Sequence, residues 1–261
     1  MLGRRIRRIE VVHPDVLRES TRAFADRVRG REIRSVTRRG KNVVLHLTGE
    51  FALVVNLGMT GRLLAFPAAP ERRVRPTHPA VRFRFADGGV LVFDDQRRFG
   101  AVECLDRRAW RKRSRALGPE PLARAFSARA LHEATSRSRT AIRTWLLDQR
   151  RIAGVGNIYA SEALHLAGIH PARPASSLTR EEAGRLHRSL RSVLRAAIVL
   201  GGTTIRDYRN ARGEQGNFSR RLRVYGRNGH RCPRCGATVE RISLHNRAAF
   251  FCPVCQPAVT T

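Results

Sequence analysis

Two cysteine knuckles, Cys232-Pro-Arg-Cys235 and Cys252-Pro-Val-Cys255, stand sixteen residues apart near the end of this 261-residue chain. A Cys-x-x-Cys turn sets two thiolates on one side of a tight bend, and two such turns complete a tetrahedron suited to zinc. With all four positions filled by thiolate, the metal has no open coordination site, so its role is structural. Between the knuckles, Thr238-Val-Glu-Arg-Ile242 and Ala248-Ala-Phe-Phe251 read as two strands of a hairpin. Arg247 falls at its turn and directs a permanent cation outward, although a plain solvated charge fits the same position. The remaining cysteine, Cys104, stands alone and reads as packing. Four clustered thiols argue for a metal site in a reducing cytoplasm rather than a disulfide framework.

Charge constrains the partner. Lys plus Arg number 51 against 21 acids, a formal net charge of +30. Such an excess calls for a polyanion, and nucleic acid comes before a membrane because no apolar run approaches the length of a membrane span. Lys41 and Lys112 are the only lysines. A biased base composition would explain arginine in place of lysine, but not the excess of both over acids. The start, Met1-Leu-Gly-Arg-Arg, is followed by no apolar core of a secretory signal.

Residues 4–105 read as β structure. Asn42 to Thr48 and Phe51 to Asn56 are apolar runs separated by Gly49-Glu50, a hairpin. Val81, Phe83 and Phe85 alternate with Arg82 and Arg84, which gives one buried and one wet basic face, as in a β-sandwich. Glu71 to Pro79 is a polar connector. From Leu117 the pattern becomes helical, with a short helix over Ala128 to Glu133. Thr179-Arg-Glu-Glu182 is a capping box opening a long helix whose buried stripe is Leu186, Leu190, Val193, Leu194 and Ile198. Asp207 to Arg221 is polar, glycine-containing and non-periodic, a loop of the length that usually carries function.

Between the β and zinc segments lies Asp148-Gln-Arg-Arg-Ile-Ala-Gly-Val-Gly-Asn157. Ile142, Trp145 and Leu146 share a helical face before it; Ile158, Ala163, Leu164 and Ala167 recur at helical spacing after it. Gly154 and Gly156 let backbone N–H groups approach a ligand closely, and Asn157 is placed to cap the second helix, whose positive end favours an anion such as a nucleic-acid phosphate. A helix–helix turn without a ligand fits the same residues.

Asn56-Leu-Gly-Met-Thr-Gly61, Asp95-Gln-Arg-Arg-Phe-Gly100, Leu117-Gly-Pro-Glu-Pro-Leu122, Gly154 to Glu162, Gly201-Gly-Thr-Thr204, Val224-Tyr-Gly-Arg227 and the four cysteines occur in that order. Together they resemble the bacterial formamidopyrimidine-DNA glycosylase family over nearly the whole chain. The resemblance implies an α+β fold: an N-terminal β-sandwich (1–108), a helix–two-turn–helix DNA-binding domain (115–222) whose loop 207–221 folds over an extruded base, and a C-terminal β-hairpin zinc finger (223–261). It implies excision of oxidised purines such as 8-oxoguanine and formamidopyrimidines from duplex DNA, then β,δ-elimination at the abasic site. The implied partner is double-stranded DNA bound in a basic cleft by a cytoplasmic, nucleoid-associated monomer, with one structural zinc.

Site roles follow from the same resemblance. Met59, Arg97 and Phe99 become the trio pushed into the duplex where a base has left it. An apolar chain and a ring replace lost stacking, and arginine bonds the orphaned partner base. Read from the residues alone, Met59 and Phe99 are ordinary core. Lys41 and Arg247 take proton-donor roles in strand cleavage. His78, Arg97, Asn157 and Arg247 contact DNA, with Arg143 standing where the family usually has lysine. Glu214 replaces a typical basic residue, which leaves base selectivity open.

Family members begin methionine, proline, glutamate, and the proline amine attacks the sugar to form a Schiff base. This sequence begins Met1-Leu2-Gly3-Arg4, which aligns just after the family's leading helix. Two expectations compete: a polypeptide that starts farther upstream and is active, or a shortened chain that binds damaged DNA without excising bases and is less stable for want of that helix. The intact wedge, lysine and finger favour the first. An oxidised-pyrimidine glycosylase of the endonuclease VIII type shares the finger and the helix pair. A zinc-ribbon protein of transcription or translation shares the knuckles and the basicity, but gives no reason for the Asp95–Gly100 or Gly154–Glu162 motifs.

Overall fold

A computed structural model describes residues 1–67, 75–205 and 214–258. Residues 207–213 of the 207–221 loop and the start of the Glu71–Pro79 connector therefore lie outside the described residues. The chain divides into two compact units, residues 1–116 with 201–216, and residues 117–200 with 217–261.

The first unit is built on alternation. β1 (Ile6–Val11), β6 (Pro79–Phe85), β7 (Val90–Asp94) and β5 (Arg62–Phe66) form one four-stranded antiparallel sheet in that order. β2 (Ile33–Arg39), β3 (Asn42–Leu47), β4 (Phe51–Asn56) and β8 (Ala101–Asp106) form the other. Phe83, Phe85, Leu91 and Phe93 from one sheet and Leu45, Leu53, Val55 and Val102 from the other belong to a single buried core. Gly49 and Glu50, both at positive φ, turn β3 into β4 as the sequence predicts.

One helix interrupts the expected run of strands and a second follows it directly. α1 (Thr21–Val28), capped by Ser20, drops Phe24 and Val28 into the core. α2 (Arg107–Arg115) starts at the Asp106 cap, ten residues before the helical pattern was expected. Its sequence has no apolar period, and it holds through Trp110, which packs on Val44, Ala52 and Val54.

The second unit is helical: α3 (Ala128–Thr135), α4 (Ile142–Leu147), α5 (Asn157–Ala167) and α6 (Arg180–Val199). The Thr179–Glu182 capping box is present, and Arg173 grips Glu182 with two bonds of 2.5 and 2.7 Å. The α6 stripe buries Leu186, Leu190 and Val193, but Ile198 is exposed; Ala197 takes the buried place instead, because the helix runs past the core in its last turn. β9 (Glu240–Leu244) and β10 (Arg247–Phe251) form the hairpin, with strands shifted two residues later on the first side than expected and one earlier on the second. His245 and Asn246, both at positive φ, make its two-residue turn. Among the described residues no helix is long and apolar enough to cross a membrane.

Candidate nucleic-acid interface and zinc centre

At one end of the second sheet, strand register gathers the residues singled out in the first unit. Asn42 pairs with Asn56, and Asn56 with Ala101. The turn carrying Lys41, the loop carrying Met59 and the loop carrying Arg97 and Phe99 therefore share that end. Lys41 is exposed. The Asn56 side chain ties two of these turns together, donating to Asn42 Oδ1 at 3.1 Å and accepting from Gly58 N at 3.0 Å. Gly58 sits at φ +60°, and a Cβ there would lie 2.6 Å from Gly100 N. The two loops thus touch backbone to backbone, which only glycine permits.

Two buried aspartates that sequence reasoning left unassigned hold these loops. Asp95 accepts from Thr60 Oγ1 at 2.5 Å and from Gly100 N at 2.8 Å, and Thr60 Oγ1 in turn accepts from Arg97 N at 3.1 Å. Asp94 accepts from His78 N at 2.6 Å and from Arg62 Nη2 at 2.5 Å. The exposed His78 is thus fixed through its own backbone. The available signal was the carboxylate pair opening the Arg97–Phe99 loop, but acids are common before turns and nothing in the sequence says that these two point inward.

Held from below, the tips stand out in water. Met59 is 63% and Phe99 60% exposed, so neither is core. Arg97 bridges them, its guanidinium 4.5 Å from the Phe99 ring centre and 3.7 Å from Met59 Sδ. Two large apolar side chains left in water forgo roughly 1.5–3 kcal/mol each of burial, a cost that only a partner removes.

In the second unit the Gly-rich turn joins α4 to α5. Gly154 takes φ +87°, and Gln149 builds the loop, accepting from Gly154 N and donating to Leu147 O and Val155 O. Asn157 does not cap α5. Gly156, in extended conformation, is the N-cap, and the Asn157 side chain turns away to donate to Ala248 O at 3.1 Å. Arg143 is 1% exposed and spends its guanidinium on Asn157 Oδ1, Ala248 O and Leu244 O at 2.6, 2.6 and 3.3 Å. Burial, then the nearby Arg247 charge, pull its pKa down. It is a buried cross-tie from the helix pair to the hairpin that presents the exposed Arg247.

The four Sγ atoms of Cys232, Cys235, Cys252 and Cys255 lie within 4.8 Å of one another. The Cys232–Cys255 and Cys235–Cys252 separations are 3.9 and 3.4 Å, against roughly 3.8 Å for a tetrahedron with metal–sulfur bonds of about 2.3 Å. Backbone N–H groups of Arg234 and Cys255 point at Cys232 and Cys252 Sγ, as knuckle turns require. The buried His165 Nε2 lies 3.4 Å from Cys232 Sγ; burial, then Arg223 and Arg234, push its pKa down to about 4, so it meets that sulfur as a neutral ring. These donors fit a structural zinc ion and need no further ligand. Glu162, also unassigned from sequence, accepts the backbone N–H groups of Arg223, Val224 and Tyr225 at 2.9–3.0 Å and so pins the start of the module to α5.

Three family models match in chain order: the formamidopyrimidine-DNA glycosylase N-terminal domain over residues 1–102, the glycosylase H2TH domain over 117–209, and the zinc finger found in FPG and IleRS over 229–258. A formamidopyrimidine-DNA glycosylase of Chloroflexus aurantiacus is 43% identical over 93% of this chain and 86% of its own length. The chain belongs to the formamidopyrimidine-DNA glycosylase family. The corresponding protein of Thermomicrobium roseum is 45% identical over 94% of this chain and 89% of its own. Lactococcus lactis Fpg, solved with DNA containing an abasic site, superposes with a TM-score of 0.89 at 33% identity, covering 99% of this chain and 94% of that one. Thermus thermophilus MutM (Fpg) gives 0.87 at 40% identity, over 100% and 94%. The α+β fold and the structural zinc read from sequence thus agree with the family.

Proposed function

We propose that this chain is a base-excision-repair DNA glycosylase and abasic-site lyase that removes oxidised purines from duplex DNA. The observation that carries the reading is the Met59–Arg97–Phe99 cluster: two apolar tips held in water by a buried Asp95–Thr60 anchor, inside a family of glycosylases. Inserted into a duplex, Met59 and Phe99 restore the stacking an extruded base gives up, and Arg97 bonds the base left behind.

The other roles are assigned from their places. Asn157 and Arg247 meet the phosphates beside the lesion, and the buried Arg143 acts there by positioning both. Lys41, on its exposed turn, and Arg247 supply protons in strand cleavage, and His78 contacts the backbone. Loop 207–221 covers the extruded base. Three working parts result, 1–108, 115–222 and 223–261. The protein acts as a monomer in the reducing cytoplasm, on the nucleoid.

Borohydride trapping on duplex containing 8-oxoguanine tests the reaction. A covalent adduct is expected; its absence would sink the lyase reading. Met59→Ala with Phe99→Ala should reduce preference for an abasic-site duplex about tenfold, while stability changes by less than about 0.5 kcal/mol. Retained preference would remove the wedge assignment.

A further inference from the structure

α2 answers to none of the roles above. Arg107–Arg115 reads RRAWRKRSR, with six cations and no acid in nine residues. Ala109, Trp110, Arg113 and Ser114 are half-buried toward the sheet. There Trp110 packs, Arg113 pairs with Glu103, and Arg39 donates to Ser114 O at 3.1 Å. Arg108, Arg111, Lys112 and Arg115 are exposed and recur at i, i+3, i+4 and i+7, so they form one helical stripe. Such spacing normally carries an apolar seam; here it carries four like charges whose mutual repulsion weakens the helix. No ion-pair partner is recorded for any of the four among the described residues.

With Arg107 and Glu50 these side chains line an open groove of about 570 Å³. Arg107 is paired with Glu50, so five cations against one carboxylate leave four unbalanced charges. No aromatic ring lines the groove to stack on a base, since Trp110 is spent on the sheet. A membrane-surface helix would turn an apolar face outward, and α2 has none to turn. What remains is recognition of a phosphate backbone by charge alone. The stripe runs about 10.5 Å from Arg108 to Arg115 at 1.5 Å per residue. Duplex DNA presents roughly six phosphates over that length.

We infer that the outer face of α2 is a second, sequence-independent DNA contact, separate from the loops that carry Met59 and Phe99. The choice of duplex DNA over other polyanions rests on the glycosylase reading. The contact holds undamaged duplex before a lesion is met and weakens steeply with salt.

The test compares three proteins: wild type, a variant with Arg108→Ala, Arg111→Ala, Lys112→Ala and Arg115→Ala, and a charge-preserving variant with Arg108→Lys, Arg111→Lys and Arg115→Lys. Each is titrated with undamaged duplex and with abasic-site duplex across a salt series. The alanine variant should lose about 3–4 from the slope of log affinity against log salt, near 0.9 per phosphate released. Its ratio of abasic-site to undamaged affinity should stay within twofold of wild type, and the lysine variant should keep the full slope. An unchanged slope in the alanine variant overturns the inference. So does an equal loss in the lysine variant, which would trace the effect to folding rather than charge. An alanine variant that keeps its duplex slope but releases anionic phospholipid vesicles overturns the DNA assignment too. A lost slope with a wild-type ratio of one supports the α2 contact while overturning the glycosylase reading.

Discussion

Two β structures in this chain solve the same problem by different means. The eight-stranded sandwich holds its sheets with a large apolar core, in which Phe24, Phe83 and Phe93 are fully buried. The C-terminal hairpin has two strands and a core of Val224, Val239 and two cysteines. So small a core cannot offset the chain entropy of ordering the module, and the zinc site stands in for the missing apolar burial. Both then present cations outward from a rigid base, and the sandwich adds the apolar tips of Met59 and Phe99. The comparison teaches that the rigidity of an exposed loop here comes from whatever lies beneath it: hydrocarbon and buried aspartates in one unit, metal and buried polar ties in the other.

The largest effect should come from the metal. Apparent zinc affinities of such sites correspond to about 10–16 kcal/mol, so Cys252→Ser or chelation should unfold the hairpin while the sandwich survives. Duplex affinity should fall at least a hundredfold, and near-ultraviolet circular dichroism of the sandwich aromatics should persist; a hairpin that keeps its amide protection without metal would break the comparison. Phe83→Ala tests the other side. It should cost about 3–5 kcal/mol in the sandwich, read by denaturant melting, with zinc content unchanged.

Glu162→Gln comes next. The amide keeps one good acceptor for three backbone donors, so a loss of about 1–3 kcal/mol is expected, with faster zinc release to a chelator. Unaltered release would show that α5 does not hold the module. The smallest effect is that of pH on Glu182. Burial alone would raise its carboxyl, but hydrogen bonds from Arg173 and Thr179 N outweigh that and hold it below the ordinary glutamate range. A lowered folded-state pKa contributes stability that is complete above the unfolded value, about 4.3, and is lost as pH falls below it. Acid melts between about pH 5 and pH 3 should therefore show a smaller decline in Glu182→Gln than in wild type.

Much of the fold was legible because it depends on local pattern. The β3–β4 hairpin, the alternating face of β6 and the Thr179 cap of α6 each follow from residues within a few positions of one another. The knuckles fix zinc for the same reason. What stayed hidden depended on distance along the chain. α2 has no apolar period, and only the sheet that receives Trp110 makes it a stable helix. Asn157 looks like a helix cap until the buried Arg143 claims its Oδ1 and Ala248 O, far along the sequence, accepts from its Nδ2. Met59 and Phe99 read as core because hydrophobicity alone does not record which side of a loop faces water. By itself the sequence determined most of the strands, the long helix, the metal ligands and the polyanionic character of the partner. Only the tertiary structure decided which charges are spent inside, as Arg143, Asp94 and Asp95 are, and which remain outside to meet a phosphate. Burial and pairing belong to the folded surface, and one-dimensional spacing carries no term for them.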